Sequence, residues 1–343
     1  NAKILGIIPF LIFIIMYSIY LFEVNKNISK NIKYIFFILG LTFIFIIILW
    51  PYLWFDPINN FIKAFTDIIA AHNNLSVITL FNGEYITSTN TPWFYRILWF
   101  YITIPVIVGI FFTIGFSIII VNFVKRILEL NDKNQIIWKN NEDFYDFYLF
   151  FVVIAVCFLT IKFNDSQFNG WRHLYFLYSV IIYFSIFAYK LILKNKKNFL
   201  KYFLNSIIII NISYNLIWIF KNHPHQNNYF NFISLNYALE KFDLDYWGLS
   251  NYHSLKFILK NDKRNKINIS TISFADLNVS ILKLNSNEKK RINIIYNPEE
   301  ADYLINSYMP KLRKNFKISQ DKFIRLHDIK VNKTSINTIY KKK

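Results

Sequence analysis

The feature that most restricts this chain is a series of long apolar stretches, at roughly 3–22, 34–54, 98–122, 147–162, 174–193 and 203–220. Allowing for tilt, each is long enough for a helix that crosses ~30 Å of hydrocarbon at ~1.5 Å per residue. Inside lipid a backbone must satisfy its own hydrogen bonds, and an α-helix does so within one segment. The expected class is therefore mostly α, a polytopic membrane helix bundle of about six spanning helices. Hydrophobic residues make up 54% of the 343 and aromatic residues 20%, more apolar surface than a water-soluble domain of this size hides.

Lysine and arginine set the expected orientation. Loop 23–33 holds Lys26, Lys30 and Lys33, loop 123–146 holds Lys125, Arg126, Lys133 and Lys139, and loop 190–202 holds Lys190, Lys194, Lys196, Lys197 and Lys201. The alternate connections, 55–97 and 162–173, hold only Lys63, Arg96, Lys162 and Arg172. This alternation puts the three basic loops in the cytoplasm and the other two, with everything after residue 220, outside. Trp50, Tyr52, Trp54, Trp93, Tyr95, Trp99 and Trp171 gather at the expected outer interface, where amphipathic rings settle.

The net charge of +18 follows from this topology and from a Lys-, Asn- and Ile-rich composition of the kind AT-rich coding gives. No basic helix with interleaved polar readers accompanies it, so nucleic acid is excluded as a partner. Cys157 is the single cysteine, which rules out a disulfide within the chain. The chain opens at Asn1 and is apolar by Ile4, with no small-residue cleavage site after the first stretch, so further helices are expected upstream.

Two extramembrane regions are expected. In the outer loop 55–97, Asp56-Pro57 is a helix-start pair. Ile58, Phe61, Ile62, Phe65, Ile68 and Ile69 then recur at helical spacing opposite Asn59, Asn60, Lys63 and Asp67. Such a helix lies in the headgroup plane or caps the bundle. Residues 221–343 read as a small extracytoplasmic α/β domain. Ser250 is expected to cap a helix to about Leu259, and KINIST (266–271) and RINIIY (291–296) alternate as strands. FIRLHDIKV and SINTIYK pair across Asn332-Lys333-Thr334, while ADYLI (301–305) fits either strand or helix.

No zinc spacing, Walker loop or dinucleotide glycine pattern is present, so no cofactor is evident, although a divalent metal is not ruled out. His223 and His225 lie two residues apart in HPHQ, with no third ligand near in sequence. Asp243 and Asp245 in FDLDYWG have the pairing that holds a metal-nucleotide, but no nucleotide-binding pattern surrounds them. Three outer patches carry more. FNGEYITSTNTPWFY (81–95) sets Glu84 and Tyr85 ahead of Trp93 and Tyr95; these suit stacking on a sugar, or form an interface belt with a loop. NGWRHLYF (169–176) sets Arg172 and His173 at the start of an apolar run, against the field of a helix start. There a guanidinium grips phosphate oxygens, or merely snorkels to water. The third patch, HPHQNNYFNF with FDLDYWGLS, reads as a connector or as packing for the bundle's outer mouth.

In this order the patches resemble bacterial glycosyltransferase family 39 proteins of the GT-C superfamily. That superfamily includes protein O-mannosyltransferases and lipid A aminoarabinose transferases. The matching pieces are GEY…TPWFY, WRHLYF, HP-x-Q-x-x-YFN, FDLDYWGLS, ADYLINSY and the closing TIYKKK, over roughly residues 50–343. The resemblance implies transfer of a sugar from a polyprenyl-phosphate donor to a protein, lipid or glycan acceptor at the outer face of a bacterial cytoplasmic membrane. It implies that Arg172, assisted by His173, binds the donor phosphate, and that Glu84, Tyr85, Trp93 and Tyr95 line or close the sugar cleft. It puts the catalytic carboxylate upstream of Asn1, leaving its identity unknown and this chain inactive alone. The rivals are a transporter or flippase of lipid-linked saccharides, and a non-catalytic membrane scaffold.

Overall fold

A computed structural model describes residues 6–24, 27–74, 76–129, 137–138, 140–162, 168–194, 197–309 and 318–343, with backbone alone at 24 and 68–74. Lys26, Lys133, Lys139 and Lys196 of the charge argument, and the side chains of Ile68 and Ile69, lie outside the described residues. In chain order come α1 (Ile7–Val24), α2 (Ile28–Leu49), α3 (Pro57–Asn74), β1 (Ile78–Phe81), β2 (Glu84–Thr87), α4 (Tyr95–Thr103), α5 (Val106–Glu129), α6 (Asn141–Lys162), α7 (Leu177–Leu193) and α8 (Asn198–Lys221). There follow α9 (Leu235–Lys241), α10 (Ser250–Asn261), β3 (Ile267–Thr271), α11 (Leu277–Ile281), α12 (Ser286–Arg291), β4 (Ile292–Ile294), β5 (Tyr303–Asn306), β6 (Phe323–Val331) and β7 (Thr334–Lys342).

The protein is mostly helical. Among the described residues four helices are long and apolar enough to cross a membrane: α2, α5, α6 and α8. Two further apolar helices, α1 and α7, are shorter. The stretch expected to span at 98–122 divides into α4 and α5 at Pro105, which lacks an amide hydrogen and forces the residue before it out of the helical region. Ile104 is accordingly extended, at φ −92° and ψ 153°.

Two compact units form. The first comprises residues 1–76, 107–166 and 171–202. Within it α1 packs on α2 and α6, and the Tyr148 hydroxyl on α6 donates to the Pro9 carbonyl at 3.2 Å. α5 and α7 approach so closely at Gly115 that a Cβ there would lie 2.1 Å from the Phe184 carbonyl oxygen. Small residues permit this contact between apolar helices. Buried Arg126 near the end of α5 donates to Glu129 at 3.2 Å and to Asp143 at 3.3 Å, tying α5 to the start of α6. α3 starts as its sequence requires, with Asp56 accepting from the Asn59 amide at 3.3 Å.

The second unit comprises residues 77–106, 167–170 and 203–343. Residues 77–106, 167–170 and 203–220, grouped with the bundle by sequence, are thus grouped with the C-terminal region by packing. Its five-stranded sheet runs β4-β3-β5-β7-β6, with β3 parallel to β4 and β5, and β7 antiparallel to β5 and β6. Leu255, Ile258, Ile267, Ile269, Ile305 and Ile339 form the core between α10 and the sheet. ADYLI resolves as strand β5, held between β3 and β7. The β6–β7 turn stands at Asn332-Lys333, both at positive φ (48° and 69°), the geometry a two-residue hairpin loop needs. Ser250 begins α10 but does not cap it. Fully buried Asp245 does, accepting from the amides of Leu249 at 2.9 Å and Ser250 at 2.8 Å and from the Ser250 hydroxyl.

Candidate functional site

The site with the most defined geometry is built on β1 and β2. ITLF and EYIT pair antiparallel across Asn82-Gly83, whose φ values of 55° and 88° again suit a two-residue turn. The hairpin is fastened to the end of α9 and the chain beyond it. The Gly83 amide donates to the Lys241 carbonyl at 2.9 Å, and the Tyr237 hydroxyl donates to Asn82 Oδ1. Asp243 bonds it on three atoms. Its amide donates to the Leu80 carbonyl at 3.2 Å, while its carboxylate accepts from the Leu80 amide at 3.0 Å and the Thr79 hydroxyl at 2.5 Å.

Beside the hairpin is a cavity of about 340 Å³ lined by Phe81, Asn82, Glu84, Ile86, Asn90, Thr91, Pro92 and Phe94. Phe81 and Ile86 provide apolar wall, Phe94 an aromatic face, and Asn82, Glu84, Asn90 and Thr91 a mixed set of donors and acceptors. Beneath it Phe81 packs on Tyr95 with ring centres 4.6 Å apart and on Phe242 at 5.4 Å. Trp99 continues the aromatic floor, 4.9 Å from Phe242. Gly170, at φ 73°, sits over Trp99, whose ring would be 3.5 Å from a Cβ there.

The carboxyl of Asp243 is pushed up to about 7 by burial, against the opposing pull of the Thr79 hydroxyl and the Leu80 amide. Tyr85 is raised too, by burial first and then by the charge of Asp243. Tyr95 is raised chiefly by burial. A half-buried acid titrating near neutrality next to a cavity is a feature of functional sites and also of structural clamps.

The structure brings only part of the expected cleft together. Glu84 lines the cavity and is exposed. Tyr85 is 60% exposed, and strand alternation turns it to the face opposite Glu84. Trp93 is 67% exposed and packs edge-on against Phe94 at 5.7 Å, outside the set of lining residues. Tyr95, 1% exposed, belongs to the aromatic floor and not to an open surface. Sequence reasoning missed the hairpin itself, although Asn82-Gly83 between two β-prone runs was its signal.

Arg172 and His173 belong to the other unit, and are described there. They occupy a single 3-10 turn, residues 172–174, three residues ahead of the first helical position of α7. Trp171 and Leu174 are buried on either side, so the two cationic-capable side chains project half-exposed from an anchored turn. Trp171 packs edge-on with Tyr175 at 5.0 Å. Arg172 thus lies five residues ahead of the first helical position of α7, in the separate turn that precedes it.

Asp243 and Asp245 do not form a pair, since one fastens the hairpin and the other caps α10. Among the described residues no group of three His, Cys, Asp or Glu side chains has metal-site spacing. Comparison of the chain with family models, curated proteins and solved structures gave no match.

Proposed function

We propose that this chain takes part in transferring a sugar from a polyprenyl-phosphate donor to a protein, lipid or glycan acceptor at the outer face of a bacterial cytoplasmic membrane. The observation that carries the reading is the cavity beside β1–β2. Its amides, carboxylate and hydroxyl next to Phe81 and Phe94 suit a sugar ring, which presents hydroxyls at its edge and C–H groups on its face. Helices long and apolar enough to cross a bilayer supply the setting for an isoprenoid carrier. The anchored turn of Arg172 and His173 supports phosphate binding, because a guanidinium engages two phosphate oxygens at once. In this reading Glu84 and Asn82 bind sugar hydroxyls. Tyr85 and Trp93 border the approach, Tyr95 supports the floor from beneath, and the domain after residue 220 faces outward.

The test is equilibrium binding of a polyprenyl-phosphate sugar to the chain in lipid nanodiscs. Arg172→Ala is expected to weaken binding at least about tenfold, ~1.4 kcal/mol, through loss of paired phosphate contacts. Glu84→Gln is expected to weaken the sugar-bearing donor while leaving the bare polyprenyl phosphate unaffected. Donor affinity unchanged in both variants would sink the reading.

One observation favours the transporter instead. Buried Asp146 on α6 accepts from the Tyr183 hydroxyl of α7 at 2.7 Å, an ionisable group within an apolar helix. Transport of a lipid-linked saccharide across proteoliposomes that is lost in Asp146→Asn would replace the transferase reading.

A further inference from the structure

HPHQ lacks a third histidine nearby in sequence, but the fold supplies another imidazole. His225 follows α8 in the connector, and His253 lies on the first turn of α10, 28 positions later. Their ring centres stand 5.1 Å apart with the planes at 61°. His225 is 6% exposed, and the Nδ1 atoms of both rings are shut off from solvent with no hydrogen-bond partner. An imidazole nitrogen buried unpaired is costly, by ~1–3 kcal/mol, and two in contact demand a reason.

We propose that His225 and His253 together form a binding site for a borderline-soft divalent transition-metal ion of the Zn²⁺ class. Neutral imidazole is the common protein ligand for such ions. A metal ~2.1 Å from each nitrogen lies ~3.2 Å from each ring centre, and a tetrahedral angle then spaces the centres by ~5.2 Å. The observed 5.1 Å meets that spacing without moving the backbone.

The pair supplies two ligands and solvent completes the shell, since among the described residues no third His, Cys, Asp or Glu side chain stands at metal-site spacing. Lys283 is the opposing charge near His253 and weakens the site. Nothing in this inference depends on sugar transfer.

The experiment titrates ZnCl₂ into EDTA-stripped full chain in detergent at pH 7.5, read by calorimetry. One equivalent is expected, with His225→Asn and His253→Asn each weakening binding at least about tenfold and Lys283→Met tightening it about twofold. Absence of saturable binding, or binding unchanged in the His225→Asn/His253→Asn double variant, overturns the proposal. Metal-free melting curves verify that the variants fold. If they do not, the Co²⁺ spectrum of the unmodified chain decides: strong tetrahedral bands support the site, and the weak bands of hydrated six-coordinate cobalt refute it.

Discussion

On α2 of the first unit Phe36, Phe37, Phe43 and Leu49 are 69, 66, 52 and 77% exposed, whereas on β3 and β5 of the second unit Ile267, Ile269, Leu304 and Ile305 are fully buried. α2 buries Asn31, whose amide donates to the Leu21 carbonyl at 2.9 Å, while the sheet unit turns lysines and arginines such as Arg264 and Arg325 outward. The five-stranded sheet is thus arranged for water and α2 for hydrocarbon, so a large apolar side chain at the surface suits α2 and not the sheet.

The contrast can be broken at several places. Gly115→Leu should have the largest effect, because no side chain fits 2.1 Å from the Phe184 carbonyl. A loss above ~4 kcal/mol, or failure to fold, is expected in denaturation of the reconstituted chain. The most direct comparison uses one replacement in both units at similarly exposed sites. Phe43→Lys on α2 should impair membrane insertion by about 3 kcal/mol, whereas Ile324→Lys on β6, at 45% exposure, should stay within ~0.5 kcal/mol. Equal tolerance in glycosylation-tag insertion and melting assays would show that α2 does not face lipid.

Asp245→Ala leaves the Leu249 and Ser250 amides and the Ser250 hydroxyl without their acceptor, a loss of about 2 kcal/mol that urea unfolding of the sheet unit would read. Asp243 should show a smaller, pH-dependent effect. Its folded-state carboxyl titrates at about 7, above the ~3.9 of an unfolded chain, so the folded state holds a proton that the unfolded state releases between those values. Hairpin stability should fall as pH rises through that window and level off above about 7. Asp243→Asn should flatten the profile, as seen by amide exchange across residues 78–87; parallel profiles would acquit Asp243. Lys333→Gly should stabilise slightly, by ~0.5 kcal/mol in melting, since Lys333 holds a φ of 69° that glycine adopts without strain.

Much of the scaffold was legible in the order of residues. Apolar runs marked the helices, alternation marked KINIST and RINIIY, and Asp56-Pro57 marked the start of α3. Ser250 misled because a serine before a helix matches the capping rule, while the carboxylate that caps α10 stands five residues earlier in a turn. Glu84 was picked out, but its neighbours Asn90 and Thr91 in the cavity were not, and Tyr95 proved to be floor. The run at 98–122 looked continuous because hydropathy counts Pro105 as a small interruption, whereas the backbone loses both a donor and a helical neighbour there.

By itself, then, the sequence determined which segments prefer hydrocarbon, which alternate as strands and where the chain turns at Asn332-Lys333, since these depend on local sterics and on solvent preference within a few residues. Only the tertiary structure decided that Asp243 clamps a hairpin 164 positions away, that ADYLI is an inner strand, and that His225 meets His253. Such contacts join segments far apart in the chain, and their energies depend on burial and on partners that no single segment contains.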